Sequence, residues 1–321
     1  MSFFNSAIVN TSVNLADGKK QEFMTSFLTG FWAQACLTEY LDRQEKLPLT
    51  AESMTVPIYS KASGVMANIA EGADAVGTKT KVVKRTFGFT PKQTNVEVTN
   101  YAIAVTGGDA FVAAAKSLGQ AYVEGMEGYA WNPLTQAGDT FKYLVPGRSS
   151  STTAITNVAA TEKMSLGYLQ EVYQEMHGAL VPKTANGNYV AFMSVSQMAD
   201  LQASSGALWQ TRQYVNDQTG AAPYNQSALP TASIGGFDIY VTAYTPKTAQ
   251  TTPAIPVHKC MFMGADAIRK AYHINNPLTF HDEWSDKGHT GRLLYVTEYS
   301  DYHVYRPECL VWGQTAVTRN V

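Results

Sequence analysis

The sequence predicts an α+β fold in which an extended ribbon feeds directly into one long helix. Three observations carry that prediction. Between residues 51 and 105, β-branched and aromatic residues alternate with polar ones and no helical period appears. From Phe111 to Tyr129 apolar residues recur at spacings of four and three, one stripe along about six turns of helix. Beyond residue 160, short apolar runs suited to strands alternate with helical patterns.

Taken in order, residues 1–18 are rich in Asn, Ser and Thr and show no firm period. From Lys19 to Arg43 the positions Phe23, Phe27, Leu28, Phe31, Trp32, Ala35 and Leu41 trace an amphipathic helix, and Pro48 closes it. A helix so near the terminus must dock, either on the core of its own domain or as an arm on a neighbouring chain.

Thr55–Tyr59 reads as a short strand, followed by an Ala-, Gly- and Ser-rich stretch from Ser60 to Gly77. Val82–Phe89 is extended, Thr90–Gln93 breaks it, and alternation resumes at Thr94, Val96, Val98 and then Tyr101, Ile103, Val105. The apolar set moves from even to odd positions at Thr99-Asn100, which predicts a bulge or kink in a continuing strand. Structureless stretches longer than about 12–15 residues are uncommon in a compact domain and usually functional. A lone two-stranded ribbon is also marginal in water. The ribbon is therefore expected to rest on another surface, as a lid on an active site or on an adjacent subunit.

Gly107-Gly108 ends the extended segment, and Thr106 with Asp109 forms a weak capping box for the long helix. Its stripe is Phe111, Ala115, Leu118, Tyr122, Met126 and Tyr129, and Trp131-Asn132-Pro133 stops it. The other face carries Ala113, Ala114, Gly119, Ala121, Gly125 and Gly128, small enough for foreign backbone to approach closely. Gln136–Ala160 reads as a polar loop, Glu162–Met176 as a helix, Gly187–Met193 as a buried strand and Ser196–Leu201 as the start of another helix. Ser204–Pro230 is a long polar loop, Ile234–Val241 a strand, Pro246–Pro256 a linker, and Lys259–Ala267 a further apolar segment. Arg292–Tyr299 is expected to pair with His303–Pro307 or with the long-helix region.

The 321 residues suffice for one large domain or two moderate ones. Only 16% are charged, below the roughly 25% usual for soluble domains. With 18 tyrosines, that deficit suits a surface partly covered by something else, or an ordinary Tyr-rich domain. Cys36, Cys260 and Cys309 are far apart and in no metal or redox spacing, which suits reduced thiols. No signal peptide and no membrane span is expected.

Catalytic signatures are missing: there is no phosphate-binding glycine loop, nucleophile elbow, HExxH or CxxC. His281, Asp282, Glu283, Asp286 and His289 form the densest set of metal-ligand types, in a spacing that matches no known geometry. His177, His258, His273 and His303 read as structural or surface residues. Lys79, Lys81, Lys84, Arg85 and Lys92 make the one concentrated basic stretch. It suits contact with a protein neighbour; a lysine-guarded strand edge and a nucleic-acid contact are the other readings. The net charge of −2 weighs against a dedicated nucleic-acid binder.

The order of elements resembles the major capsid proteins of tailed bacteriophages, which have the Hong Kong 97 fold. The likeness is carried by Ala70-Glu71-Gly72 before the ribbon, by Gly235–Val241, by Phe262–Ala267, and by Tyr305-Arg306-Pro307 running on to Trp312-Gly313. It implies an N-terminal arm (1–50), an extended loop (51–105), a peripheral domain with its spine helix (106–160 and 262–321) and an axial α/β domain (161–261). It further implies a shell protein that assembles with itself as hexamers and pentamers into an icosahedral capsid. Such a capsid encloses double-stranded DNA without reading its sequence, and is built in the host cytoplasm with scaffolding, portal and decoration proteins as partners. No catalytic residue, metal, cofactor or membrane is implied. Intersubunit contacts would fall on Lys79, Lys81, Lys84, Arg85, Lys92, Phe87 and Phe89 of the ribbon region and on Phe27 and Trp32 of the arm. Two alternatives stand beside it: an encapsulin-like nanocompartment shell with protein cargo, and a metal-dependent enzyme whose ribbon covers residues 281–289.

Overall fold

A computed structural model of the chain describes residues 10–11, 36–42, 46–59, 82–88, 90–106, 109–131, 141–148, 153, 155, 157–205, 232–251, 254–274, 278–284 and 291–319. The first elements are strand β1 (Asn10–Thr11), helix α1 (Leu37–Asp42) and strand β2 (Leu47–Leu49). The helix expected over 19–43 thus falls within the described residues only from its last turns. Pro48 does not merely close that helix; it sits inside β2, between buried Leu47 and Leu49. This is tolerated because β2 is an edge strand, where a missing N–H breaks no ladder.

The ribbon forms as the alternation predicts. Strand β3 (Ser53–Tyr59) pairs antiparallel with β4 (Val82–Gly88), in register from Ser53 opposite Gly88 to Tyr59 opposite Val82. Strand β5 (Thr90–Thr99) follows, and here the expectation needs correction: the strand does not continue past a bulge to Val105. Asn100–Thr106 is a helix, α2, and Thr99 Oγ1 accepts from the Ala102 N–H at 3.3 Å. The change of apolar parity at Thr99-Asn100 marked a switch from strand to helix. Helix α3 (Asp109–Trp131) is the predicted spine, and Thr106 contributes to its start by accepting from the Ala110 N–H at 3.1 Å.

Two sheets flank the spine. The first has the order β1-β13-β14-β12-β2, with β12 (Ile268–His273), β13 (Leu278–Trp284) and β14 (Gly291–Val304), and β5 also pairs with β14. Arg292–Tyr299 and the residues from His303 therefore do not form a hairpin. They belong to one 14-residue strand whose partners are β5, β12 and β13. Its even residues from Leu294 to Val304 are buried and its odd residues half-buried, the alternation of a sheet with one face closed.

The second sheet is longer than the sequence suggested. Strands β6 (Lys142–Leu144), β7 (Tyr189–Met193), β8 (Ala232–Ile234), β9 (Phe237–Val241), β10 (Lys247–Thr251), β11 (Ala254–Met263) and β15 (Leu310–Ala316) build it in the order β6-β15-β11-β7-β9-β8, with β10 on β11. Helices α4 (Leu166–Gly178) and α5 (Val195–Ser205) belong to the same part of the chain. Two stretches read as loop and linker supply strands, β6 and β10, because both are short and pair at one side of an apolar partner. The predicted strand over 234–241 is a hairpin: Gly235 and Gly236 turn at φ +62° and +84°, which two glycines adopt without a Cβ penalty. The sheet also takes strands from both sides of the expected boundary at 261/262, since β15 lies against β11 over seven residue pairs.

One core joins the layers. Leu118, Tyr122, Val123 and Met126 of α3 share one buried cluster with Leu294 and Val296 of the first sheet, and the helix end reaches the second sheet. There Trp131 meets Phe192 edge-on at 6.2 Å and Trp312 at 6.2 Å. The residue that stops the helix in the sequence thus pins it to the other sheet. Close backbone approach is tightest at Gly264, where an added Cβ would lie 2.5 Å from the Pro182 carbonyl oxygen. Gly264→Ala is expected to destabilise the chain by about 1–3 kcal/mol or more, because backbone rather than a flexible side chain must move. Urea unfolding midpoints at unchanged m-value check this.

Candidate assembly surfaces

The ribbon is rooted by one aromatic side chain. Phe87 is fully buried among Leu47, Leu49 and Ala271, with Met54, Val56 and Tyr305 around them. Three residues before it, Lys84 is exposed, and Val82 and Val83 are 45% and 38% exposed. Arg85 is half-buried. The basic stretch therefore divides by geometry. Lys92 is not on the ribbon at all but on β5, where it is 7% exposed and donates to the Ser300 carbonyl, with Asp301 Oδ1 at 3.4 Å and the Tyr129 ring at 4.8 Å. Lys92 and Phe87 thus spend their side chains inside this chain, and among the described members of the set Lys84 is the exposed cation. Lys79, Lys81, Phe89, Phe27 and Trp32 lie outside the described residues.

Helix α1 joins α3 through a buried carboxylate that the sequence did not single out. Glu127 Oε1 accepts from the Cys36 N–H at 2.8 Å, the Thr38 N–H at 2.9 Å and the Thr38 hydroxyl at 2.8 Å. It thereby satisfies orphan donors at the start of α1 from a side chain about ninety residues away. Burial pushes the Glu127 pKa up, while those donors and the Trp131 indole pull it back part of the way. A second buried set ties α3 to the first sheet: Glu298 receives the Tyr122 hydroxyl and lies 2.8 Å from Lys270 Nζ.

Part of what the described residues leave uncovered is apolar. Helix α2 has no buried residue; Tyr101 is 80% and Val105 66% exposed. On the spine, Ala114 and Gly119 of the small-residue face are buried, whereas Ala113, Ala121, Gly125 and Gly128 are exposed. Tyr129, expected at the end of the buried stripe, is 45% exposed; Val123, Glu127, Ala130 and Trp131 complete the buried face instead. The alternation places Tyr101 and Val105 on a strand, so it carries no signal of their exposure on a helix.

Among the described residues no three His, Cys, Asp or Glu side chains gather in metal-binding geometry. Of the cluster at 281–289 only the His281 side chain is described, stacked on Tyr295 at 4.4 Å. His258 is buried, 2.8 Å from Ser194 Oγ, and His177 stacks on Tyr173. The three cysteines form no disulfide and are buried; burial raises the Cys260 thiol pKa and pushes Cys309 up to about 11, which keeps both protonated and inert. Among the described residues no helix is long and apolar enough to cross a membrane.

No family model and no curated protein matches the sequence. Solved structures do match over most of the chain. The capsid of Ralstonia phage GP4 superposes with a TM-score of 0.67 at 16% identity, over 87% of each chain. The cyanophage Pam1 capsid gives 0.61 at 14% identity, over 84% of this chain and 86% of that one. The head of Helicobacter pylori bacteriophage KHP40 gives 0.60 at 10% identity, over 89% and 91%. The chain has the fold of phage capsid proteins, in agreement with the resemblance read from its element order.

Proposed function

We propose that this chain is the major capsid protein of a tailed bacteriophage. It assembles with itself as hexamers and pentamers into an icosahedral shell around double-stranded DNA. The observation that carries the reading is the capsid fold combined with a β3–β4 ribbon whose described residues are mostly exposed or half-buried and which is rooted at Phe87. Such a ribbon exposes Val82, Val83 and Lys84, and helix α2 exposes Tyr101 and Val105. Each is a modest surface alone, and a shell repeats them by symmetry, so that no single contact has to be strong.

In this reading the second sheet with α4 and α5 gathers at the capsomer axis, and the spine with the first sheet lies at the periphery. The ribbon and the N-terminal arm reach neighbouring subunits, with Lys79, Lys81, Lys84, Arg85, Phe89, Phe27 and Trp32 as contact residues. Scaffolding, portal and decoration proteins are partners, and the product is a virion component. The function is mechanical and involves no turnover.

Electron microscopy of the recombinant chain, alone and co-expressed with its neighbouring genes, tests this. Closed uniform shells are expected, with nuclease-protected DNA inside shells from infected cells. Protein cargo and no DNA would point to a nanocompartment; small discrete particles that retain zinc or manganese would restore the enzyme reading. Lys84→Glu is expected to cut shell yield several-fold while changing the unassembled chain's stability by less than about 0.5 kcal/mol, since it is exposed. Wild-type shell yield from that variant would remove Lys84 from the interface.

A further inference from the structure

We infer that His303 is a proton-dependent clasp that sets how firmly the ribbon's root is held on the first sheet. Its Nε2 lies 3.2 Å from the Gly88 carbonyl, the last residue of β4, and 3.3 Å from Asp301 Oδ2. The ring also meets Phe87 edge-on at 5.1 Å, so the one imidazole touches both the apolar anchor and the backbone end of the ribbon. An imidazolium must carry a proton on Nε2 and can donate to both oxygens, with the Asp301 charge strengthening the contact. A neutral ring loses that charge, and one of its two tautomers presents a lone pair to the carbonyl.

The charged groups around the ring favour this role. Of the carboxylates on its own strand Asp301 is the one beside the ring, and Lys92 of β5 lies 3.4 Å from Asp301 as a second cation. Arg269 of β12, directly opposite His303 in register, is turned to Asp266 at 3.0 Å and to the Tyr305 ring at 4.3 Å. Arg306 also lies over Tyr305, and Arg85 stands two residues before Phe87 on β4. Burial disfavours a charged His303, but the Asp301 carboxylate and the Gly88 carbonyl outweigh it and raise its pKa. Asp301 is likewise held below the usual carboxylate range: burial opposes this, and His303 and Lys92 prevail.

The sign follows. Because the folded-state value of His303 is raised, its contribution is complete below the ordinary histidine value and is lost as pH rises through the raised value. Because that of Asp301 is lowered, its contribution is complete above the ordinary carboxylate value and is lost as pH falls through the lowered one. The root is held most firmly between the two and loosens on the alkaline side. This is a property of the chain itself and holds whether or not the chain builds shells.

Amide hydrogen exchange of the unassembled full-length chain, corrected for the intrinsic pH dependence of exchange, reads it out. Protection of the β4 amides nearest Gly88 is expected to fall about fivefold as pH rises across the histidine range, the scale of one charge-assisted hydrogen bond. Amides of β7 in the second sheet should not move. His303→Gln, which keeps a donor and cannot titrate, should flatten the profile; Lys92→Met should leave its alkaline limb in place. A flat wild-type profile, or the same fall in His303→Gln, overturns the clasp.

Discussion

Glu298→Ala is expected to lower the unfolding free energy by about 3–5 kcal/mol, the usual cost of stranding one partner of a buried ion pair. Glu298 is 3% exposed and Lys270 6%, with their charged atoms 2.8 Å apart. Removing the carboxylate takes an anion from beside the buried Lys270 ammonium and an acceptor from the Tyr122 hydroxyl. The double variant Glu298→Ala/Lys270→Met separates charge from packing. It should recover much of the loss, because no unpaired cation remains. Urea unfolding at one pH measures both. Equal losses in the single and double variants would assign the cost to packing alone.

Glu127→Ala should cost about 3–5 kcal/mol and should release α1 from the spine before the rest unfolds. Three donors converge on one carboxylate oxygen, and each buried donor left unpaired costs roughly 1–3 kcal/mol before any relaxation. A six-residue helix has no stability of its own, so its amides should exchange freely once that oxygen is gone. Glu127→Gln keeps an acceptor in place and removes the charge. Since burial raises the Glu127 pKa, the folded chain binds a proton that the unfolded chain releases, and stability falls as pH rises from the ordinary glutamate value through the raised one. Stability of Glu127→Gln should lack that fall. An unchanged slope would place the titrating group elsewhere.

The same two residues mark where sequence reasoning stops. Glu127 sits on the spine beside Met126 and Gly128 and looks like one more polar position of an amphipathic helix. Only the return of Cys36 and Thr38 across about ninety residues makes it a cap. Lys92 looks like a member of a basic ribbon because Lys84 and Arg85 precede it closely. In the structure Lys92 lies on β5, which pairs with β14 in the first sheet, and there Ser300 and Asp301 take its ammonium.

By itself the sequence determined the features set by local periodicity. The spine came from spacings of three and four, the ribbon from alternation, the helix expected over 162–176 (found at 166–178) from its stripe, and the capsid-like order of elements from their succession. These are legible because a helix face or a strand face repeats every few residues, and burial selects for it locally. The tertiary structure alone decided which strands share a sheet, that β6 and β10 exist, that residues 100–106 form a helix instead of extending, and which of the described cations stay at the surface. Those outcomes depend on partners far along the chain: β14 takes up β5, β12 and β13, and β15 takes up β11. A three-residue strand or a single lysine has too little periodicity to announce its partner. Its place is decided by the hydrogen bonds and the charge it finds once the core has closed.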